Sequence, residues 1–289
     1  MALYGKLEKI LKEINVKEYR KVSPELIGND YAFFDKYLSS GGGKNEKINV
    51  KYKDYNFELN VYKQKDRTTY SIFADNNNDE CLIIFVEDNI KMASIHNISY
   101  FPTYAREGLE YPGGGSILLK FAIHYLKTNK DALNIKKIKI KDNATLYCKK
   151  MKGVINLSAI YMLAFGETWY GKYGFIPYDH LNDKIDIQTL VNYKVDQKLV
   201  NIIPLDCTNV RMIIEKTIRE RNLEKDLSIE KFNKIYNKYK TYPIIKFFRD
   251  FLNRKQFEVI CEIFGHSYKE IMESIGLHDL KGTVYTLNI

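Results

Sequence analysis

Three short stretches of this 289-residue chain hold residue types that do chemistry at close spacing. The first is Gly113-Gly114-Gly115-Ser116, set directly before an apolar stripe of helical period. A helix that opens on glycines exposes several backbone N–H groups and the positive end of its dipole. No side chain then keeps a phosphate away from those amides, so the stretch reads as an anion site suited to a pyrophosphate. The second is Trp169-Tyr170-Gly171-Lys172-Tyr173-Gly174-Phe175, which sets a phenol among rings and a cation. The third is His96, on a segment of period two; an imidazole suits proton abstraction near neutrality. A fourth stretch, Gly41-Gly42-Gly43-Lys44, does not make a P-loop, because Leu38 stands where the first glycine is needed and Asn45 where Ser or Thr should hold the metal.

The elements that must position these residues follow from hydrophobic period. Residues 1–38 read as helical through Leu7, Ile10, Leu11 and Ile14, and Ser39–Lys44 as a loop. From Lys47 the period is two: Val50–Val61 as one long or two short strands, then Thr68–Phe73, Cys81–Val86 and Met92–Tyr100. The short polar turns between them, such as Glu87-Asp88-Asn89, predict an antiparallel meander. The alternation stops at Phe101-Pro102. After the glycine loop, Ile117, Leu118, Phe121, Ala122, Tyr125 and Leu126 predict an amphipathic helix. Ile135–Lys141 returns to strand period. A second helix is expected over about Ser158–Tyr173, closed by Gly174. Val210–Ile275 reads as mostly helical and Gly282–Ile289 as a strand.

Gly113-x-Gly115-x-x-Leu118-Leu119 resembles the central acetyl-CoA motif of the GCN5-related N-acetyltransferases, and Tyr170-x-x-x-Gly174-Phe175 resembles the same family's later signature. The resemblance covers roughly residues 46–180. It implies an α/β fold with a mixed, largely antiparallel twisted sheet flanked by helices, here with extra N-terminal and C-terminal helices. It implies acetyl-CoA as co-substrate, held by Tyr100 and Phe101 at a strand bulge and by Gly113, Gly114, Gly115 and Ser116 at the helix start. It also implies direct attack of a primary amine on the thioester, with Tyr170 as proton donor to the leaving thiolate. His96 is the first candidate for the base, ahead of Glu167 and Glu107. The chain departs from the family at Glu110, where Gln or Arg is usual, at Leu163, where Asn is frequent, and in the longer Pro102–Gly113 loop; Arg106 is the nearest replacement for the lost positive charge.

With 45 % hydrophobic and 28 % charged residues the chain has the composition of a globular protein, long enough for a sizeable core. No apolar run approaches the length of a membrane span, and the N-terminus interleaves charge with apolar residues unlike a signal peptide. Forty-five basic against thirty-six acidic residues give a net charge of +9, a surface that attracts anions. Lys136–Lys139 and Lys231–Lys240 (KFNKIYNKYK) are the basic clusters, and the second reads equally as an amphipathic helix with Phe232, Ile235 and Tyr239 inward. Cys81, Cys148, Cys207 and Cys261 are single and widely spaced with no CxxC pair, which argues against a zinc knuckle and predicts a reducing compartment, hence a cytoplasmic protein. No metal is expected. Trp169 reads as a packing anchor, His124 as structural, and His180, His266 and His278 carry no assigned role. The expected organisation is an N-terminal helical segment (1–45), an acetyltransferase-like core (46–206), a helical insertion or subdomain (207–280) and a final strand (281–289). Two functions follow: an acetyl-CoA-dependent N-acetyltransferase acting on a small-molecule or protein amine, or a catalytically degenerate module of that fold that binds nucleic acid or protein through its basic surface.

Overall fold

The computed structural model describes residues 44–73, 80–87, 89–98, 114–148, 151, 153–252 and 257–289. The chain is α/β, with a mixed, largely antiparallel open sheet flanked by helices. It divides into two compact units: residues 1–140 with Leu287–Ile289, and Lys141–Thr286. The proposed N-terminal helix and the loop up to Gly43 lie outside the described residues.

The first unit is built on a meander. Strands β1 (Lys44–Tyr52) and β2 (Tyr55–Lys63) form a hairpin whose turn uses Lys53 at φ +54°. β3 (Arg67–Phe73), β4 (Glu80–Glu87) and β5 (Met92–Ile98) follow, each antiparallel to its predecessor. Alternation decides which face is buried: Phe57, Leu59 and Val61 on β2 point one way into the core. Opposite β4, the register slips between Ile83 and Ile84, so that His96 is the extra residue on β5, a β-bulge. The chain then runs through helix α1 (Gly114–Thr128) to β6 (Lys137–Lys141), which pairs parallel to β5. α1 lies against β4 and β5, burying Leu118, Leu119, Phe121, Ala122, Tyr125 and Leu126. Its Phe121 ring sits 4.3 Å from that of Phe57, and Tyr125 sits 5.5 Å from Tyr70. The last residue rejoins this unit through the Ile289 N–H, which donates to the Lys136 carbonyl at 3.0 Å.

The second unit is mainly helical. A hairpin of β7 (Thr145–Cys148) and β8 (Gly153–Asn156) leads straight into α2 (Leu157–Phe165). This helix stops eight residues before the expected end. Gly166 takes up φ +69° and its N–H caps the Met162 carbonyl, a left-handed stop that reads in the sequence as one more helical position. A short 3-10 turn, Gly171–Tyr173, closed by Gly174 at φ +88°, comes next. Strands β9 (Ile176–Asp179) and β10 (Lys184–Ile185) pair antiparallel, and β11 (Val284–Asn288) pairs antiparallel to β9. Between β10 and β11 run α3 (Ile187–Ile202), α4 (Val210–Glu220), α5 (Ile229–Tyr239), α6 (Ile244–Phe251) and α7 (Phe257–Ile275). Asp186 caps α3 by accepting the Thr189 N–H at 3.0 Å. Phe232, Phe247, Phe248, Phe251 and Phe264 are fully buried where α5, α6 and α7 supply the core, with Phe247 stacked on Phe251 at 5.1 Å. On α5 Phe232 and Ile235 are buried as expected, Tyr236 is buried with them, and Tyr239 is half-buried with its ring 6.5 Å from that of Phe247.

The cysteines correct the sequence expectation most. Cys148 and Cys261 form a disulfide across Cα atoms 5.8 Å apart, tying β7 to α7; Cys81 and Cys207 are free thiols. Spacing along the chain does not report the Cα separation that permits a bridge. Among the described residues, no helix is long and apolar enough to cross a membrane.

Candidate functional site

The structure places the residues singled out in the sequence in both units. In the first, α1 begins at Gly114, with Gly114 and Ser116 buried and Gly115 half-buried. Its first turn holds no acidic residue, and Lys127 in its last turn complements the dipole. In the run β5–α1–β6, two parallel strands are joined through a helix whose first described residues are Gly114, Gly115 and Ser116, and helix N-termini in general favour anions. His96 is exposed on the β5 bulge, its ring 5.2 Å from the Phe85 ring. Tyr100, Phe101, Gly113, Arg106, Glu107 and Glu110 lie outside the described residues.

Tyr170 belongs to the second unit. The turn that carries it is fixed by Thr168, whose Oγ1 accepts the Gly171 N–H at 3.0 Å. Its ring packs with Trp169 at 5.0 Å, Tyr285 at 6.1 Å and Phe175 at 6.3 Å, and only 4 % of the residue is exposed. Burial pushes the phenol well above its usual pKa, and the nearby Asp142 and Tyr285 push it further. Asp142 is itself buried, which raises its carboxyl from 3.8 to about 7; the Ala144 N–H opposes the rise and Asp279 adds to it. Its Oδ1 accepts that N–H at 3.3 Å, and its Oδ2 accepts no hydrogen bond among the described residues. Tyr193 of α3 presses its hydroxyl against Gly171, so closely that a Cβ there would run into it. Trp169 packs as expected of an anchor, with the Lys172 ammonium 5.9 Å from its ring centroid, 5.1 Å from that of Tyr161 and 4.9 Å from that of Tyr173.

Asp142 and Tyr285 escape a reading of the sequence because each is an unremarkable residue at a strand end, and the cluster they form joins segments more than a hundred residues apart. A pair of another kind also escapes it: Asp196 of α3 and His278, whose ring Nδ1 lies 2.8 Å from Asp196 Oδ1. No sequence spacing signals two residues 82 positions apart. Among the described residues, no group of three His, Cys, Asp or Glu side chains is arranged to hold a metal ion. No protein-family model, curated protein or solved structure matches the chain.

Proposed function

We propose that the chain is an acetyl-CoA-dependent N-acetyltransferase that moves an acetyl group onto a primary amine. What supports this best is the run β5–α1–β6: a bulged strand, a helix that opens on Gly114-Gly115-Ser116 without an acid in its first turn, and a parallel return strand. Ligands of α/β sheets gather outside the carboxyl ends of parallel strands, where helix N-termini meet phosphates. The amides of that first turn would receive the pyrophosphate of CoA. The neutral amine attacks the thioester carbon, the C–S bond breaks, and CoA leaves as thiolate. His96, exposed on the bulge, would take the proton the amine loses. By the family resemblance, Tyr170 returns a proton to the thiolate. Its burial raises the phenol's pKa and keeps it protonated, the form a donor needs.

Thermal or chemical unfolding with and without acetyl-CoA tests the proposal. Cofactor at a hundred times its Kd is expected to add about 2.7 kcal/mol of stability. Mass spectrometry of an amine panel incubated with acetyl-CoA should then show an acetylated product. No stabilisation at millimolar cofactor, together with no acetylated amine, overturns the proposal. The rival, a non-catalytic basic module, would draw on Lys231, Lys234 and Lys238, exposed on α5. Its ring platforms are reduced, because Phe232 and Tyr236 of the same helix are buried and Lys234 is paired with Glu230 at 2.8 Å.

A further inference from the structure

The second unit holds an imidazole that is gripped on one side and open on the other. Asp196 has a side chain with no exposure, whereas the His278 side chain is 43 % exposed. Asp196 Oδ1 lies 2.8 Å from His278 Nδ1, and Oδ2 accepts the His278 backbone N–H at 3.1 Å. Both carboxylate oxygens are thus committed to one residue, which fixes where that ring points.

The end of α7 delivers the histidine to this grip. Gly276 adopts φ +79°, its N–H donates to the Glu273 carbonyl at 3.0 Å, and the Leu277 N–H donates to the Met272 carbonyl at 2.9 Å. This is a Schellman closure, with Leu277 buried as its hydrophobic contact. The neighbouring Asp279 is engaged elsewhere, accepting from Asn156 Nδ2 at 3.4 Å and from the Lys281 N–H at 3.0 Å. Among the described residues nothing hydrogen-bonds His278 Nε2.

A carboxylate offers only lone pairs, so the ring proton of a neutral imidazole belongs on Nδ1 and its lone pair on Nε2. We propose that Asp196 and His278 form a proton-transfer site, in which Nε2 accepts the proton of an alcohol, an amine or a water that is about to act as a nucleophile. The X–H bond breaks, its electron pair stays on the oxygen or nitrogen, and the proton binds Nε2. The imidazolium so formed is balanced by the buried carboxylate, which also holds the tautomer. The site stands independently of the acetyltransferase proposal, since such a base serves any substrate with an O–H or N–H to lose.

Diethyl pyrocarbonate, applied to the full chain and mapped by peptide mass spectrometry, tests it. The Nε2 lone pair attacks a carbonyl carbon and ethyl carbonate leaves; it takes up the proton released from Nδ1 and decomposes to ethanol and carbon dioxide. His278 is expected to react faster than His266 of α7, which is likewise exposed. Asp196→Asn replaces an acceptor by an amide that donates to Nδ1, which moves the ring proton to Nε2; modification of His278 should then slow by about tenfold or more with its exposure unchanged. An unchanged rate in that variant overturns the proposal. Long-range ¹⁵N–¹H spectra of the wild type decide the matter even where the variant fails to fold: an Nδ1–H tautomer of His278 supports the site, and an Nε2–H tautomer overturns it.

Discussion

Asp142 is a carboxylic acid in a place that cannot hydrate a carboxylate. It is 2 % exposed, its carboxyl is raised to about 7, and one oxygen accepts nothing among the described residues. The folded chain therefore keeps a proton there that the unfolded chain releases above pH ~4. Between about pH 4 and pH 7 the folded state binds more protons, so the contribution of Asp142 to stability falls as pH rises and levels off above about 7. The rise from 3.8 to about 7 corresponds to on the order of 4 kcal/mol. Asp142→Asn is expected to match the wild type near pH 4 and to exceed it by roughly 2–4 kcal/mol at pH 8, read from urea unfolding at the two pH values. Glu80, raised by burial to about 7, tilts the wild-type profile the same way, so the difference between the two proteins is what reports Asp142. A variant that follows the wild-type profile in parallel would show that Asp142 ionises freely in the fold. Gly171→Ala belongs to the same scale: its Cβ meets the Tyr193 hydroxyl, and a loss of about 1–3 kcal/mol is expected, recovered in part by Tyr193→Phe.

Helix termini set the next scale. Gly115→Asp at the start of α1 should move two measurements in opposite directions. An acid in the first turn favours the helix by ~0.3–1 kcal/mol through the dipole, while its charge and bulk exclude a pyrophosphate from the same amides. Raised or unchanged stability with lost acetyl-CoA affinity, by calorimetry, is the expected pair; full affinity in the folded variant removes the helix start from the cofactor site. At the other kind of terminus, Gly276→Ala meets no atom within 4 Å but must hold φ +79°, so it is expected to cost ~1–2 kcal/mol from the backbone alone. The strands β2 to β5 and helix α1 were legible in the sequence because each buries one face, and a buried face writes its period into the residues. Gly166 was not, since a glycine that stops a helix and a glycine that rides in one look alike until φ is known. The bulge at His96 was likewise hidden: it is a property of how β4 and β5 pair, and neither strand carries it alone. Of the candidate site, the glycine helix start and Tyr170 were readable as motifs. Asp142, Tyr285 and the Asp196–His278 pair were not, because their meaning comes from neighbours remote in the chain.

For the molecule as a whole, the Cys148–Cys261 bridge joins residues 113 positions apart in the chain. A loop that long restricts the unfolded chain strongly, and removing such a bridge costs about 2–5 kcal/mol. The double variant Cys148→Ser, Cys261→Ser is expected to lose that much in denaturant unfolding, and a reductant should lower the wild type to the same level. Cys207→Ser, at an exposed free thiol, serves as the control and should change neither. Equal stability of the double variant and the wild type would remove the bridge from the folding balance. The bridge also alters what kind of covalent object the protein is. It is a ring with two tails: residues 149–260 close the ring, which carries α2, the Tyr170 turn and α3 to α6, while His278 and β11 hang on one tail. After a protease cuts one peptide bond in a tail, a fragment separates on any denaturing gel. One that cuts the ring opens it to a branched chain of undiminished mass, and the cut becomes visible on a gel only when a thiol is added.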